Sequence, residues 1–174
     1  MPEKADVVII GGGVMGCSIA YNLAREGLKP VVIEKSDIGG EASGANGGGV
    51  RQSARNLKEM PLAIESIQIY GQLHEELGMD LEYVREGNLR LCTSEEELDT
   101  MRKSVENQKA ANLELEMLDR KQVLNINPHI GDKVIGASYC PTDGHVNPFL
   151  VTYAFFQKAK SLGARIFTHE EVKD

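Results

Sequence analysis

Residues 5–35 constrain the fold more than any other part of the sequence. They open with a β-branched run at 7–10, which is typical of a strand buried on both faces of a parallel sheet. Apolar residues then repeat at helical spacing until Gly27, and a second apolar run at 31–33 ends at Glu34. A strand, a helix and a strand over about 30 residues form a βαβ unit. The sequence therefore predicts an α/β fold.

Three glycines lie between the first strand and the helix at the spacing G-x-G-x-x-G, namely Gly11, Gly13 and Gly16. In a dinucleotide site the first allows a tight turn, the second leaves room for a pyrophosphate, and the third lets the helix pack closely. Glu34 follows at the separation of about 20 residues expected for a carboxylate that binds the adenosine ribose, and its charge disfavours NADP. The glycines alone also fit an ordinary turn, but the surrounding strand, helix and acid favour a dinucleotide site.

The composition excludes several classes of protein. With 174 residues, of which 41% are hydrophobic and 26% charged, the chain is typical of a globular protein with one sizeable domain. The formal net charge of −7 argues against nucleic acid or an anionic membrane as a partner. Residues 1–20 lack a signal-peptide pattern, and no apolar run approaches the ~20 residues that span a bilayer. We expect a cytoplasmic protein without a transmembrane segment.

The cysteines and histidines give no sign of a metal site. Cys17, Cys92 and Cys140 are widely spaced and form neither a disulfide framework nor a C-x-x-C motif, so we expect reduced and mostly buried thiols. The four histidines also lack the spacing of metal ligands. No metal is predicted.

A loop dense in Gly, Ser and Ala follows the second strand over residues 36–56. Loops of this length in compact domains are usually functional or disordered. Its glycines would let backbone amides approach a large flat ligand, although its composition alone also fits a flexible linker. The position directly after a βαβ unit favours contact with the ligand.

Four segments together resemble a known family: VVIIGGGVMGCSIAYNLA, VIEK, EASGANGGGVR and DGHVNPFLVTYAFFQKAKSLGARIFTHEEV. They are similar to the FAD-dependent oxidoreductases that include glycine oxidase, sarcosine oxidase and D-amino acid oxidase. Within that family the likeness is to the β subunit of sarcosine oxidase and to the catalytic subunits of proline and hydroxyproline dehydrogenases. The resemblance implies FAD as the cofactor, a Rossmann-like FAD-binding domain, and oxidation of the amine of a small amino acid.

The resemblance also implies which residues contact FAD. They lie in the glycine turn, at the end of the second strand, in the glycine-rich loop and near residue 172: Gly11, Gly13, Val14, Met15, Gly16, Glu34, Lys35, Ala42, Ser43, Gly47, Gly48, Gly49 and Val172. Only the glycine turn and Glu34 are also predicted from spacing.

Arg51 follows the glycine-rich loop and is the one candidate for a catalytic role. Its guanidinium would offset charge on a reduced flavin or hold a substrate carboxylate, although a solvated surface arginine fits the sequence equally well. Asp143 and His145 lie in a predicted turn, where a structural role is favoured over contact with substrate.

The remaining elements suggest an insertion. Helices are predicted at 57–78, 94–112, 118–126 and 149–162, and strands within 81–93, at 136–140 and at 164–168. The β-rich stretches interrupt the alternation of strand and helix. We expect an FAD-binding domain of 1–80 and 141–174, with an inserted, partly antiparallel, substrate-side segment at 81–140.

The likeness covers only the N-terminal half of the family pattern, which continues through further strands, a second flavin loop and the substrate pocket. We therefore expect a truncated chain that needs a missing C-terminal half or a partner subunit and is inactive alone. Two alternatives stay open. One is an NAD-linked dehydrogenase, which the glycine-rich loop fits poorly; the other is a non-catalytic or split subunit that binds FAD only with a partner chain.

Overall fold

The computed structural model describes residues 4–173. In chain order the elements are β1 (Val7–Ile10), α1 (Val14–Arg25), β2 (Pro30–Ile33), β3 (Gly49–Val50), α2 (Met60–Leu77), β4 (Asn88–Cys92), α3 (Glu95–Ala110), β5 (Glu116–Asp119), α4 (Arg120–Ile126), β6 (Gly136–Cys140), β7 (Gly144–His145), α5 (Pro148–Ser161) and β8 (Arg165–Phe167). No helix in this described part of the chain has the length and apolar character needed to cross a bilayer.

The chain forms two compact units. Unit 1 comprises the chain up to Gly48, Gln72–Tyr83, and the chain from Val146 onward. Unit 2 comprises Gly49–Gly71 and Val84–His145. The predicted domain limits at 80 and 140, and the substrate-side role of 81–140, stay predictions.

Unit 1 is built on a parallel sheet with the strand order β1-β2-β8, so the α/β fold and its three predicted parallel strands are confirmed. Helices α1 and α5 pack together through small residues, since Ala20 and Ala159 are both fully buried, and the rings of Tyr21 and Phe155 lie 5.7 Å apart. Strand β1 buries Ile9 but leaves neighbouring side chains exposed on its other face.

The helix ends in unit 1 follow local sequence signals. Asn147 caps α5 because its side-chain oxygen accepts the Phe149 N–H at 3.1 Å, and Pro148 occupies the first turn. Gly163 lies just past the end of α5 with φ +98°, a conformation that favours glycine. The predicted helix at 149–162 is therefore confirmed within one residue at each end.

Unit 2 is built on an antiparallel sheet with the order β4-β6-β5, packed with α3 and α4. The prediction of a helix over 118–126 is wrong at its start. Leu118 and Asp119 belong to β5, and α4 begins only at Arg120. The physical reason is the capping box, in which Asp119 and Gln122 exchange side-chain bonds with each other's backbone N–H.

A second, two-stranded ladder in unit 2 pairs β3 with β7. Gly49 lies opposite His145 and Val50 opposite Gly144, and the two strands are antiparallel. The sequence pattern predicted a turn over 142–148, so β7 was missed. This short ladder fixes the chain immediately before Arg51.

Candidate functional site

The dinucleotide turn, defined here as residues 11–16, connects β1 to α1 in unit 1. Gly11 has φ +104°, which favours glycine, and its N–H donates to the Ile33 carbonyl at 2.8 Å. A Cβ at Gly16 would lie 2.0 Å from the carbonyl oxygen of Gly11. The close packing of the helix on the turn therefore requires glycine at position 16.

The start of α1 presents backbone donors. The first N–H groups of a helix have no partner within the helix, and they attract anions. The Val14 N–H donates to the Ser43 hydroxyl oxygen at 2.9 Å, and a Cβ at Gly13 would lie 2.9 Å from the same oxygen. Met15 extends its side chain into solvent, so its contribution at this turn comes from its backbone.

Glu34 is 8% exposed, and its carboxylate accepts three hydrogen bonds. Oε2 accepts the Gly12 N–H at 2.6 Å, while Oε1 accepts the Ser36 N–H at 2.7 Å and the Ser36 hydroxyl at 3.0 Å. The bond from Gly12 lowers the pKa of Glu34 below its ordinary value of 4.5, against the opposing effect of burial. A carboxylate has about four acceptor positions, so one stays available for a ligand hydroxyl.

These groups surround one cavity of about 190 Å³ in unit 1. Its walls are Gly11, Gly13, Glu34, Ser36, Asp37, Gly39, Gly40, Glu41, Ala42 and Ser43. Backbone donors lie on one side of this cavity and an ionised carboxylate on the other. The arrangement fits a pyrophosphate and a ribose, because the first needs donors and the second needs an acceptor.

The structure brings together five of the residues predicted to bind the cofactor. Gly11, Gly13, Glu34, Ala42 and Ser43 line the cavity, with Val14, Met15 and Gly16 at the adjoining helix start.

The other predicted residues lie elsewhere. Lys35 pairs with Glu41 at 2.7 Å, and Val172 is exposed near the end of the described chain. Gly47 and Gly48 belong to unit 1, and Gly49 to unit 2. Their role towards a flavin stays a prediction.

Sequence reasoning missed two residues that shape the cavity, Gly12 and Ser36, and it placed Gly39 only among the loop glycines whose amides would approach a ligand. Gly12 donates to Glu34, and a Cβ at Gly12 would lie 2.6 Å from the Ile38 side chain. Ser36 supplies two of the three bonds to Glu34, and Gly39 donates its N–H to the Gly12 carbonyl at 3.1 Å with φ +71°. The one available signal was the position of Ser36 two residues after the acid.

Arg51 lies in unit 2, beside a second cavity of about 330 Å³. The residues around this second cavity are Gly49, Val50, Arg51, Arg55, Glu59, Leu62, Ala63, Ser66, Ile67 and Tyr70. Arg51 and Arg55 are both exposed residues, and the Arg55 Nε–H donates to the Arg51 carbonyl at 3.5 Å. Two arginines and the acid Glu59 therefore lie at this cavity, together with apolar residues of α2.

All three cysteines are free and buried, as expected from their spacing. Cys17 lies beneath the dinucleotide turn and donates its thiol to the Gly12 carbonyl at 3.4 Å. Burial and the nearby charge of Glu34 raise the pKa of Cys17 to about 12. Within residues 4–173 no cluster of three or more His, Cys, Asp or Glu side chains is arranged to hold a metal ion.

The fold and the cavity of unit 1 define a dinucleotide-binding α/β protein. The sequence model of the DAO family, described as FAD dependent oxidoreductase, matches residues 6–174, and the chain belongs to this family. FAD is the cofactor of the family, so membership leaves the alternative of an NAD-linked dehydrogenase without support.

Individual relatives agree with this assignment. One of the subunits of opine oxidase from Agrobacterium tumefaciens (strain Ach5) is 34% identical over 92% of this chain and 46% of its own length. The structure of glycine oxidase from Bacillus cereus ATCC 14579 matches with a TM-score of 0.91 at 36% identity, over 98% of this chain and 48% of its own. L-proline dehydrogenase from P. horikoshii matches with a TM-score of 0.89 at 34% identity, over 99% and 46%. The chain thus spans about half the length of these relatives.

Proposed function

We propose that the chain is the cofactor-binding part of an FAD-dependent oxidoreductase that oxidises the amine of a small amino acid, of the sarcosine, glycine, proline or hydroxyproline type. The observation that carries the proposal is the cavity of unit 1, in which helix-start donors face the ionised Glu34. Relatives named as a glycine oxidase and an L-proline dehydrogenase support the substrate class. When bound, FAD supplies the acceptor for the hydride that leaves the substrate carbon.

The dinucleotide turn and Glu34 divide the binding of the ADP portion between them. Backbone N–H groups at Gly13, Met15 and Gly16 bind the pyrophosphate, and the remaining acceptor position of Glu34 binds a ribose hydroxyl. Ser43 accepts the Val14 N–H, which leaves its own O–H as a donor towards a phosphate.

Further FAD contacts follow from the resemblance. They come from Lys35, from Ala42, from Gly47–Gly49 beside the ribityl chain and ring, and from the backbone of Val172 beside the adenine.

Arg51 acts on the charged groups of the reaction. Its guanidinium offsets charge on the reduced flavin or holds the substrate carboxylate, as an always-charged, forked donor does well. The cavity beside Arg51 and Arg55 supports this role because it places two positively charged residues at one space of about 330 Å³.

The working enzyme includes further polypeptide, either a C-terminal half or a partner subunit. The support is the exposure of Val8 and Ile10 on β1, 57% and 71%, since apolar side chains on a sheet are normally covered. A relative named as one of the subunits of opine oxidase also supports this. The three free thiols support a reducing, cytoplasmic location, and the net charge of −7 disfavours nucleic acid.

Flavin binding tests the proposal directly. The protein, mixed with FAD and desalted, should keep the visible absorbance of a flavin, and one of sarcosine, glycine, proline or hydroxyproline should bleach it without oxygen only when the further polypeptide is present. Glu34→Gln should weaken FAD binding about tenfold, because it loses a charged acceptor. Glu75→Gln, which changes an exposed acid of unit 1, is the control. Retention of no flavin, or equal FAD affinity in both variants, would refute the proposal.

A further inference from the structure

The arginine segment, defined here as residues 49–55, is held at both ends in unit 2. At its start, Gly49 and Val50 pair with β7. At its end, the Ala54 N–H donates to the Gln108 side-chain oxygen at 2.7 Å, and Gln108 is itself buried. Arg51 lies between these two anchors.

Asp143 ties down the middle of the arginine segment. Its side chain is fully buried, and Oδ1 accepts the Gln52 N–H at 2.8 Å and the Ser53 N–H at 3.4 Å. Oδ2 accepts the Ser53 hydroxyl at 2.5 Å. A buried carboxylate is costly unless such donors compensate it. Removal of Asp143 would therefore leave buried N–H groups of the segment without a partner.

The position of Asp143 is itself determined by its neighbours. Its carbonyl accepts the Gly87 N–H at 2.9 Å, and Thr142 accepts a hydrogen bond from the Gln52 side chain. The position of the β6–β7 connection therefore determines where Asp143 holds the arginine segment.

The segment also carries backbone strain. Ala54 has φ +57°, a left-handed conformation that costs a residue with a Cβ about 1 kcal/mol or more. Such a conformation persists only where surrounding contacts over-determine it, which the bonds to Asp143 and Gln108 do. The segment is thus rigidly held, and its side chains project from a defined backbone.

We infer that Asp143 is a positioning residue, which holds the Gln52–Ser53 backbone and thereby presents Arg51 to the cavity of unit 2. Asp143 is fully buried, so it acts through the segment and not by direct contact with a ligand. What Arg51 does in that cavity rests on the proposed function, whereas the anchoring of the segment does not.

Limited trypsin digestion of the full chain tests the anchoring, because trypsin cleaves after Arg51 itself. Asp143→Ala should raise the rate of cleavage after Arg51 about tenfold, since two buried N–H groups lose their acceptor and the segment opens more often. Asp143→Asn should stay within about threefold of the unchanged protein. The amide oxygen can accept both N–H groups, and the amide nitrogen can donate to the Ser53 oxygen.

Two further variants keep the test decisive. Asp119→Ala removes a helix cap elsewhere in unit 2 and should lower thermal stability without favouring cleavage after Arg51. Ser53→Ala removes one of the three hydrogen bonds to Asp143. It should give a rate of cleavage after Arg51 between those of Asp143→Asn and Asp143→Ala, and it replaces Asp143→Ala in the test if that variant does not fold. Equal acceleration at every Lys and Arg, no acceleration at Arg51, or equal effects of Asn and Ala at 143 would each overturn the inference.

The proteolysis result needs no flavin. A protein that binds no FAD would therefore refute the proposed function, while selective cleavage after Arg51 in Asp143→Ala would still support the inference. In a protein that does bind FAD, Asp143→Ala should also shift the flavin absorbance spectrum, and Asp143→Asn should restore it.

Discussion

Glu34 in unit 1 and Asp143 in unit 2 are both buried carboxylates that hold a neighbouring loop by accepting its backbone N–H groups. Glu34 and its partner Gly12 are 22 residues apart and belong to one βαβ unit. Asp143 and its partner Gln52 are 91 residues apart. A buried carboxylate that accepts backbone N–H groups is thus formed within a local motif in unit 1, and between distant parts of the chain in unit 2.

The two carboxylates differ in their second oxygen. In Glu34 this oxygen accepts a backbone N–H from Ser36, whereas in Asp143 it accepts only the hydroxyl of Ser53. Glu34 also lines a cavity, while Asp143 is completely enclosed. The comparison indicates that the Glu34 carboxylate both supports a turn and lines a cavity, whereas the Asp143 carboxylate only supports its loop.

The largest expected effect comes from a change in the dinucleotide turn of unit 1 that leaves the arginine segment of unit 2 untouched. Gly16→Ala places a Cβ against a backbone carbonyl, at a cost of about 3 kcal/mol, and the helix-propensity gain of up to about 1 kcal/mol offsets only part of it. We expect the free energy of unfolding, measured with urea, to fall by about 2 kcal/mol. FAD binding should be lost while cleavage after Arg51 stays slow.

The matched control is Gly71→Ala in α2, where a new Cβ meets no atom within 4 Å. It should raise the free energy of unfolding by up to about 1 kcal/mol. A fall of similar size in both variants would contradict the steric explanation.

An intermediate effect is expected when each of the two carboxylates is replaced by its amide, in Glu34→Gln and in Asp143→Asn. In Glu34→Gln the amide nitrogen must face a backbone N–H on one side, because both carboxylate oxygens accept from backbone donors. We expect the free energy of unfolding to fall by about 1–2 kcal/mol, against less than about 1 kcal/mol for Asp143→Asn. Equal losses of unfolding free energy in urea would contradict this explanation, because they would show that the donor to the second carboxylate oxygen does not distinguish Glu34 from Asp143.

The smallest expected effect concerns pH. The pKa of Glu34 is lower in the folded protein than its ordinary value of 4.5, so its carboxylate contributes stability above that pH. This contribution to stability is lost as the pH falls through the pKa that Glu34 has in the folded protein. The difference in unfolding free energy between the unchanged protein and Glu34→Ala should therefore narrow below pH 4.5. A constant difference down to strongly acidic pH would count against an ionised Glu34.

Local patterns predicted most elements but not all of them. Helices α2, α3 and α5 and strand β6 were predicted because caps, glycine stops and apolar periodicity act over a few residues. Strand β5 was missed because its residues Glu116–Asp119 alternate weakly, and its pairing with β6 supplies what local propensity lacks. For the site, spacing found Gly11, Gly13, Gly16 and Glu34 but not Gly12 or Ser36.

The sequence by itself determined the βαβ unit, the glycine turn and the acid opposite it, because these depend on residues within one supersecondary motif. Only the tertiary structure decided that Asp143 meets Gln52 and Ser53, and that Arg51 lies beside a cavity. The physical reason is that a hydrogen bond between residues 91 apart leaves no periodicity or spacing in the sequence, since chain folding alone brings its partners together.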